Sequence, residues 1–382
     1  MSEEIIEKSG RVLAHVEKII SLDTIPGADK IEVVTVLGWH CVVNKDEFKV
    51  GDLALYIETD SIVPKIEYFA FMLSRKYRVK IIKLKKQISE GLLISLPNVE
   101  NCLKQIGNKI PKSYKEGDDL TELMGIVKYE SQSDRESNTT TPKKRAWHYK
   151  YLKRFKWYRN YCNRNTKGWP GFIKRTDEER IQNLPFLVKD KSKLYYLTEK
   201  LEGQSGTWWF KKLGWFVSEF GICSHNVRKS ERDNSNWSQV AKIYNLKQIL
   251  KDYYKKTKIQ LAIQGEVIGP GIQKNIYKLS QLDFYIFNII NIKTGERYSL
   301  DQLRNICFQL NLKMVPVLGT EVQIPDTVDD IIKWSVGDSK LLKRQREGIV
   351  WRTYDQSISF KAVNPEYLLK QDAEDSKSED KI

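Results

Sequence analysis

Residues 131–142, SQSDRESNTTTP, hold no aliphatic or aromatic side chain and end in proline. A stretch of this kind has nothing to bury, so it reads as a linker and divides the chain in two. The 382 residues, 41% of them hydrophobic, supply enough apolar material for separate cores on either side. The expected layout is a first domain over 1–130, a linker with a basic-aromatic segment over 131–165, a second domain over 166–370 and an acidic tail over 371–382. The tail contains QDAEDSKSED and is expected to fray.

Before the linker, KIEVVTV, WHCVVNKDEF and KVGDLALYIET are short apolar or alternating runs separated by turn residues. Strands this short and this dense predict a small barrel or sandwich. SRKYRVKIIKLKKQ, residues 74–87, reads as a strand-like stretch crowded with lysine and arginine. It is either a solvated face or a nucleic-acid surface.

After the linker, residues 143–168 carry ten basic residues, seven aromatics and no acid. Cations neutralise phosphates and aromatic faces stack on bases, although the same aromatics can dock a segment onto its own protein. The formal charge of +15 also favours a polyanionic partner. Five scattered cysteines without a CxxC pair, and only four histidines, argue against a zinc site and a disulfide framework. The N-terminus, MSEEIIEKSG, lacks signal-peptide features, and no apolar run is long enough to span a bilayer. The expectation is a soluble intracellular monomer, cytoplasmic or nuclear.

KRTDEERIQN has the spacing of a capping box between Thr176 and Glu179, which predicts a helix start. Beyond Lys193, strand patterns (LYYLT, TWWFKK, GWFVSEF, LAIQGEVI, FYIFNII) mix with helical ones (SQVAKIYNLKQILKDYYKKT, SLDQLRNICFQLN). That is an α+β reading with antiparallel sheets.

Within it, YYLTEKLEGQSG sets Lys200 between Glu199 and Glu202 and ends in a glycine turn. Downstream, IQGEVIGPG, DFYIFNII, REGIVWR and SFKAVNPEYLLK supply Glu266, an aromatic strand, Glu347 and Lys361. A lysine, carboxylates at strand ends and a second lysine are the parts needed for amine attack on a nucleotide α-phosphate.

In this order the motifs resemble the covalent nucleotidyltransferase superfamily, and within it the ATP-dependent RNA ligases with an N-terminal OB-fold domain. ADKIEVVTVLGW, FKVGDLALYIETDSIVP and KQISEGLL resemble the OB domain. WPGFIKRTDEERIQN, LTEKLEGQSGTWW, GEVIGPGIQ, EGIVWR and SFKAVN resemble the catalytic one. The resemblance implies an OB-like β-barrel followed by an antiparallel-sheet nucleotidyltransferase (ATP-grasp-like adenylation) domain. It implies ATP, Mg2+ or Mn2+, and nicked or broken RNA with 3′-OH and 5′-phosphate ends.

By the same resemblance, Lys200 forms lysyl-AMP and Lys361 contacts the AMP phosphate. Glu202, Glu266 and Glu347 serve the metal, Glu266 with a share in ribose binding. Phe287 stacks on adenine, with Phe284 the weaker alternative. Glu199 belongs to the nucleotide pocket, Arg175 or Arg180 meets pyrophosphate, and His225 with Asn226 engages the RNA 5′-phosphate. The Lys200 amine is expected to have a lowered pKa. Two positions depart from the family pattern: His225 stands where an arginine is usual, and Val363 where a second lysine is usual. They keep a decayed, RNA-binding-only protein open as a rival, beside a DNA ligase or capping-type enzyme.

Overall fold

The computed structural model describes residues 11–129, 168–175, 177–214 and 217–379. The linker, nearly all of the basic-aromatic segment and Thr176 lie outside them.

The first domain is built on β1 (Ala14–Thr24), β2 (Ile31–Val36), β3 (Trp39–Asn44), β4 (Leu53–Ile57) and β9 (Leu92–Ser95). They form an antiparallel sheet in the order β3-β2-β1-β4-β9, with β1 bulged between Ile19 and Ser21. Strand alternation gives this sheet two buried faces. Ala54 and Tyr56 of β4 join Trp39 and Val34 on one side, while Leu55 and Ile57 join Phe69, Met72 and Val99 on the other. Helix α1 (Leu96–Ile106) closes that second core and ends at Gly107, in the left-handed conformation that glycine tolerates.

The basic stretch at 74–87 is not one strand. It breaks into the end of a 3-10 helix (Glu67–Arg75), β6 (Arg78–Val79), and a hairpin of β7 (Ile82–Leu84) and β8 (Gln87–Ser89). The hairpin tip is Lys85-Lys86, both exposed and both at positive φ, 47° and 72°. A two-residue turn of this kind favours asparagine and glycine, so charge sits there at a conformational cost. β5 (Ser61–Ile62), between β6 and β10 (Val127–Lys128), completes a second small sheet.

The second domain has two five-stranded sheets. The first runs β11-β20-β19-β12-β18, from β11 (Glu179–Arg180), β20 (Ser359–Val363), β19 (Gly348–Thr353), β12 (Leu194–Lys200) and β18 (Val317–Gln323). The other runs β15-β14-β13-β16-β17, from β15 (Arg228–Lys229), β14 (Ser218–Cys223), β13 (Gln204–Lys212), β16 (Leu261–Ile268) and β17 (Asp283–Asn291). Helices α2 (Asn236–Ile243), α3 (Leu246–Thr257) and α4 (Leu300–Leu310) carry core residues that pack with the second sheet. α5 (Val328–Ser335) packs on the first, and α6 (Pro365–Glu379) follows β20. α2 and α3, predicted as one run, part at Asn245, which takes φ 48°. The tail expected to fray is helical as far as Glu379.

KRTDEERIQN does not begin a helix. Glu179 and Arg180 pair in parallel with Phe360 and Lys361, and Ile181–Asn183 makes a 3-10 turn. Pairing with β20 outweighs the local capping signal, and the Glu179 carboxylate accepts from the Arg180 and Asn183 nitrogens instead. This β11–β20 ladder also makes the sheet mixed rather than purely antiparallel.

The 3-10 turn joins the two domains. The Gly38 amide donates to the Gln182 carbonyl at 2.8 Å, Trp39 Nε1 to Asn183 Oδ1 at 2.5 Å, and Asn183 Nδ2 to Glu58 at 2.6 Å. Glu58 also binds Arg11 at 2.6 Å, and His40 meets Asp329 at 3.0 Å. Glu90 accepts from Gln182 and is so buried that its carboxyl is pushed up to about 7. Among the described residues, no helix is long and apolar enough to cross a membrane.

Candidate active site

The chain passes from the first sheet to the second through Leu201, Glu202 and Gly203, between β12 and β13. The crossing must be tight. A Cβ on Gly203 would lie 2.4 Å from the Val267 carbonyl oxygen, and one on Gly348 would lie 2.4 Å from that of Ala362. Glycine after Glu202 and after Glu347 is therefore a packing requirement.

β12 and β20 both pair with β19, which sets the register of the site. Lys200, Gly348 and Val363 share one rung; Thr198, Val350 and Lys361 share the next alternate one. Rungs two residues apart point the same way, so Lys200 and Lys361 project from one face of the sheet. Val363, where a second lysine was expected, is 5% exposed.

Lys200 Nζ donates a short hydrogen bond to Glu347 Oε1. Burial works against its charge, but Glu347, Glu266 and Glu202 outweigh burial and raise its pKa. With these carboxylates around it, the amine is held protonated; the lowered pKa expected from the sequence rests on a divalent metal and Lys361 beside it.

The carboxylates are only half satisfied. Glu199 Oε2 accepts from the Lys340 amide at 2.8 Å, and the Glu202 amide donates to the Tyr277 hydroxyl at 3.0 Å. Glu199 Oε1, Glu202 Oε2 and Glu347 Oε2 are buried without a hydrogen-bond partner among the described residues. Burial, with Glu347 nearby, pushes Glu202 up to about 7. Unsatisfied acidic oxygens here suit a divalent cation. Among the described residues no group of three or more acids, histidines or cysteines could hold an ion. A metal here would rest on one or two carboxylates together with substrate phosphates and water. Lys274, Arg344 and Lys370 line a cavity beside Glu202.

Phe287 owes its placement to a β-bulge. Gln264 pairs with Asn288 and Gly265 with Ile286, which leaves Phe287 as the extra residue of β17. Bulges re-aim side chains, and Phe287 lies half-buried with Tyr285 against Leu201, Ile268 and Tyr277. Phe284 is fully buried in the main core, which removes it as a stacking surface. Glu266, half-buried on β16, pairs with Tyr285 across the strands.

Beyond Lys361 lies a charged corner. Lys361 Nζ is 3.5 Å from Asp177 Oδ1. Burial, opposed by Asp177 and reinforced by Arg11, Arg180 and Lys200, pushes Lys361 down to about 8. Burial is also the main reason that His225 lies below the ordinary histidine value; Lys128, Arg175 and Lys361 add to it against Asp177. His225, beside Asn226, is therefore mostly neutral at pH 7. Asp177 is held low because Lys361, His225, Arg11 and Lys128 outweigh its burial. Arg180, beside Lys361 in register, stands over Trp39 and 4.0 Å from Asp60 at the domain junction. Arg175 is exposed and lies over Trp169. Arg11, Lys128 and Asp177 were missed by sequence reasoning, and the first two lie too far away in the chain for any spacing to signal them.

An OB-fold domain model matches residues 13–96 and an RNA ligase model matches residues 193–364. The chain is also similar to the Naegleria gruberi RNA ligase solved with pyrophosphate, at 29% identity over 94% of this chain and 98% of that one, TM-score 0.77. A variant of that ligase with ATP and Mn matches at 29% over 94% and 99%, TM-score 0.78. Another with AMP and Mn matches at 28% over 95% and 100%, TM-score 0.77. Domain order, register and both family matches agree: the chain belongs to the ATP-dependent RNA ligases that carry an N-terminal OB-fold domain.

Proposed function

We propose that this ligase joins an RNA 3′-OH to an RNA 5′-phosphate, in repair of nicked or broken RNA, through three adenylyl transfers that begin on Lys200. The observation that carries the reading is the shared face of Lys200 and Lys361, with Glu347 bonded to the first. Lys200 Nζ attacks the α-phosphorus of ATP, forming an N–P bond as the bond to the β-phosphate oxygen breaks and pyrophosphate leaves. Glu347, already on Nζ, is the nearest acceptor for the proton that Lys200 must lose.

The RNA 5′-phosphate then attacks the adenylate phosphorus, and Lys200 departs and regains its proton. Attack by the 3′-OH on that activated phosphate finally releases AMP. Lys361 steadies the AMP phosphate, Arg175 or Arg180 the departing pyrophosphate, and His225 with Asn226 the RNA phosphate. Phe287 stacks on adenine, Glu266 meets the ribose, and Glu199 lines the same pocket. One or two of Glu202, Glu347 and Glu266, with substrate phosphates and water, would hold Mg2+ or Mn2+, which would supply charge neutralisation and polarisation of the phosphate. The basic cavity beside Glu202 suits the 3′-OH strand, and the OB domain, with its lysine-tipped hairpin, suits the RNA backbone.

Incubation with α-labelled ATP and either metal tests this. Wild type should carry the label and Lys200→Ala should not; undiminished label on the variant would refute the nucleophile. No label with ATP or GTP would favour an RNA-binding protein on a ligase fold, to which a neutral His225 and Val363 point. Sealing of nicks ending in ribose against deoxyribose separates an RNA from a DNA ligase.

A further inference from the structure

Apart from Arg175 and Arg180, the two candidates for pyrophosphate, the ligase domain's own contribution to the charged corner is nearly neutral. Lys361 is offset by Asp177 at 3.5 Å, His225 is mostly uncharged at pH 7, and Val363 contributes no cation. An RNA 5′-phosphate is a monoester carrying about −1.5 to −2 at pH 7. Such a ligand needs more positive charge than these residues supply.

The OB domain has it in place. Lys128 on β10 pairs with Ser61 on β5, beside Asp60. The Tyr129 amide donates to the Asp60 carbonyl at 2.7 Å, and Asp60 Oδ2 stands 4.0 Å from Arg180, the strand partner of Lys361. This chain of contacts puts Lys128 at the edge of the corner, and both Asp177 and His225 feel its charge. Arg11 acts on Asp177 and Lys361, while its guanidinium is held by Glu58 at 2.6 Å. Lys128 is exposed on its strand.

We infer that Lys128, from the OB domain, is a substrate-binding residue that supplies the phosphate-contacting cation the ligase domain lacks at Val363, and that its ligand is the RNA 5′-terminal phosphate. The inference rests on the reading that the enzyme adenylylates RNA. It makes the 5′-phosphate seat a product of both domains.

The test uses full-length Lys128→Ala and Lys128→Arg, with enzyme first labelled from α-labelled ATP and then chased with RNA. AMP transfer to 5′-phosphorylated RNA should fall about tenfold or more in the alanine variant, the scale of a charge-assisted hydrogen bond, and recover in the arginine variant. Binding of 5′-phosphorylated RNA should weaken more than binding of the same RNA with a 5′-hydroxyl. Transfer within about twofold of wild type overturns the inference, as does equal weakening for both RNAs, which would make Lys128 a general backbone contact. A loss that arginine does not rescue, shared equally by Lys200 labelling, also overturns it in favour of a structural role. Failure of wild type to take label would instead bring down the ligase reading, and this inference with it.

Discussion

Arg352 Nη1 donates to the Phe287 backbone carbonyl at 2.8 Å while its Nη2 binds Glu178 at 2.7 Å. One buried guanidinium thus ties the bulge of the second sheet to the segment that enters the domain. Arg352→Met takes the main counter-charge from Glu178 and leaves it with Ser359 and the more distant Arg297, and the expected loss is about 3 kcal/mol in urea unfolding. Adding Glu178→Met should restore much of that stability. The KM for ATP in Lys200 labelling should stay raised in the double variant, since the Phe287 carbonyl still lacks its donor.

Gly203→Ala forces a methyl group against the Val267 carbonyl at 2.4 Å, whereas the same change at Gly171 meets nothing within 4 Å. The first should cost about 1–3 kcal/mol by overpacking and slow Lys200 labelling at least severalfold; the second should do neither. Thermal melts and labelling rates on the pair check this.

With Lys361 at about 8, its charge is present below that pH and lost above it. AMP transfer from labelled enzyme to RNA should therefore decline as pH rises through about 8, once normalised to binding. Lys361→Arg should remove that decline up to about pH 10, since guanidinium does not titrate there. Single-turnover rates between those limits decide it.

Glu90 is raised from the ordinary carboxylate value to about 7 by burial at the domain junction. A raised pKa contributes stability that is complete below about 4.5 and lost as pH climbs through about 7. Wild type should lose up to about 2–3 kcal/mol of stability between pH 5 and 8 through this group. Glu90→Gln should flatten the slope, as read from denaturant midpoints at the two pH values.

Replacing Lys85-Lys86 with Asn-Gly suits the positive φ angles of the hairpin tip and removes its charge. Stability should rise by about 0.4–1 kcal/mol, while RNA affinity falls and its salt slope shrinks by about 1 to 2. Unchanged RNA affinity and salt slope in the stabilised variant would rule out the hairpin as an RNA contact.

Much of this molecule is written locally. Alternating runs such as LALYI specify strands with two buried faces, and the motifs of Lys200 and Lys361 marked two residues that project from one face of one sheet. What the sequence hid was long-range. The bulge at Phe287 exists only in the pairing of β16 with β17, and Arg180 leaves its apparent helix because β20 offers a partner. The motif also does not say that Glu347 touches Lys200.

The two-residue ladder of β11 on β20 is the one parallel ladder among the described strands. So short an edge holds few hydrogen bonds, and such edges open locally at far lower free energy than the sheet they border. Peeling it back would carry Arg180 away from Lys361 while β12, β19 and Lys200 stay folded. Faster amide exchange at Glu179 and Arg180 than along β12 and β19 would show this edge opening while the nucleophile stays in place.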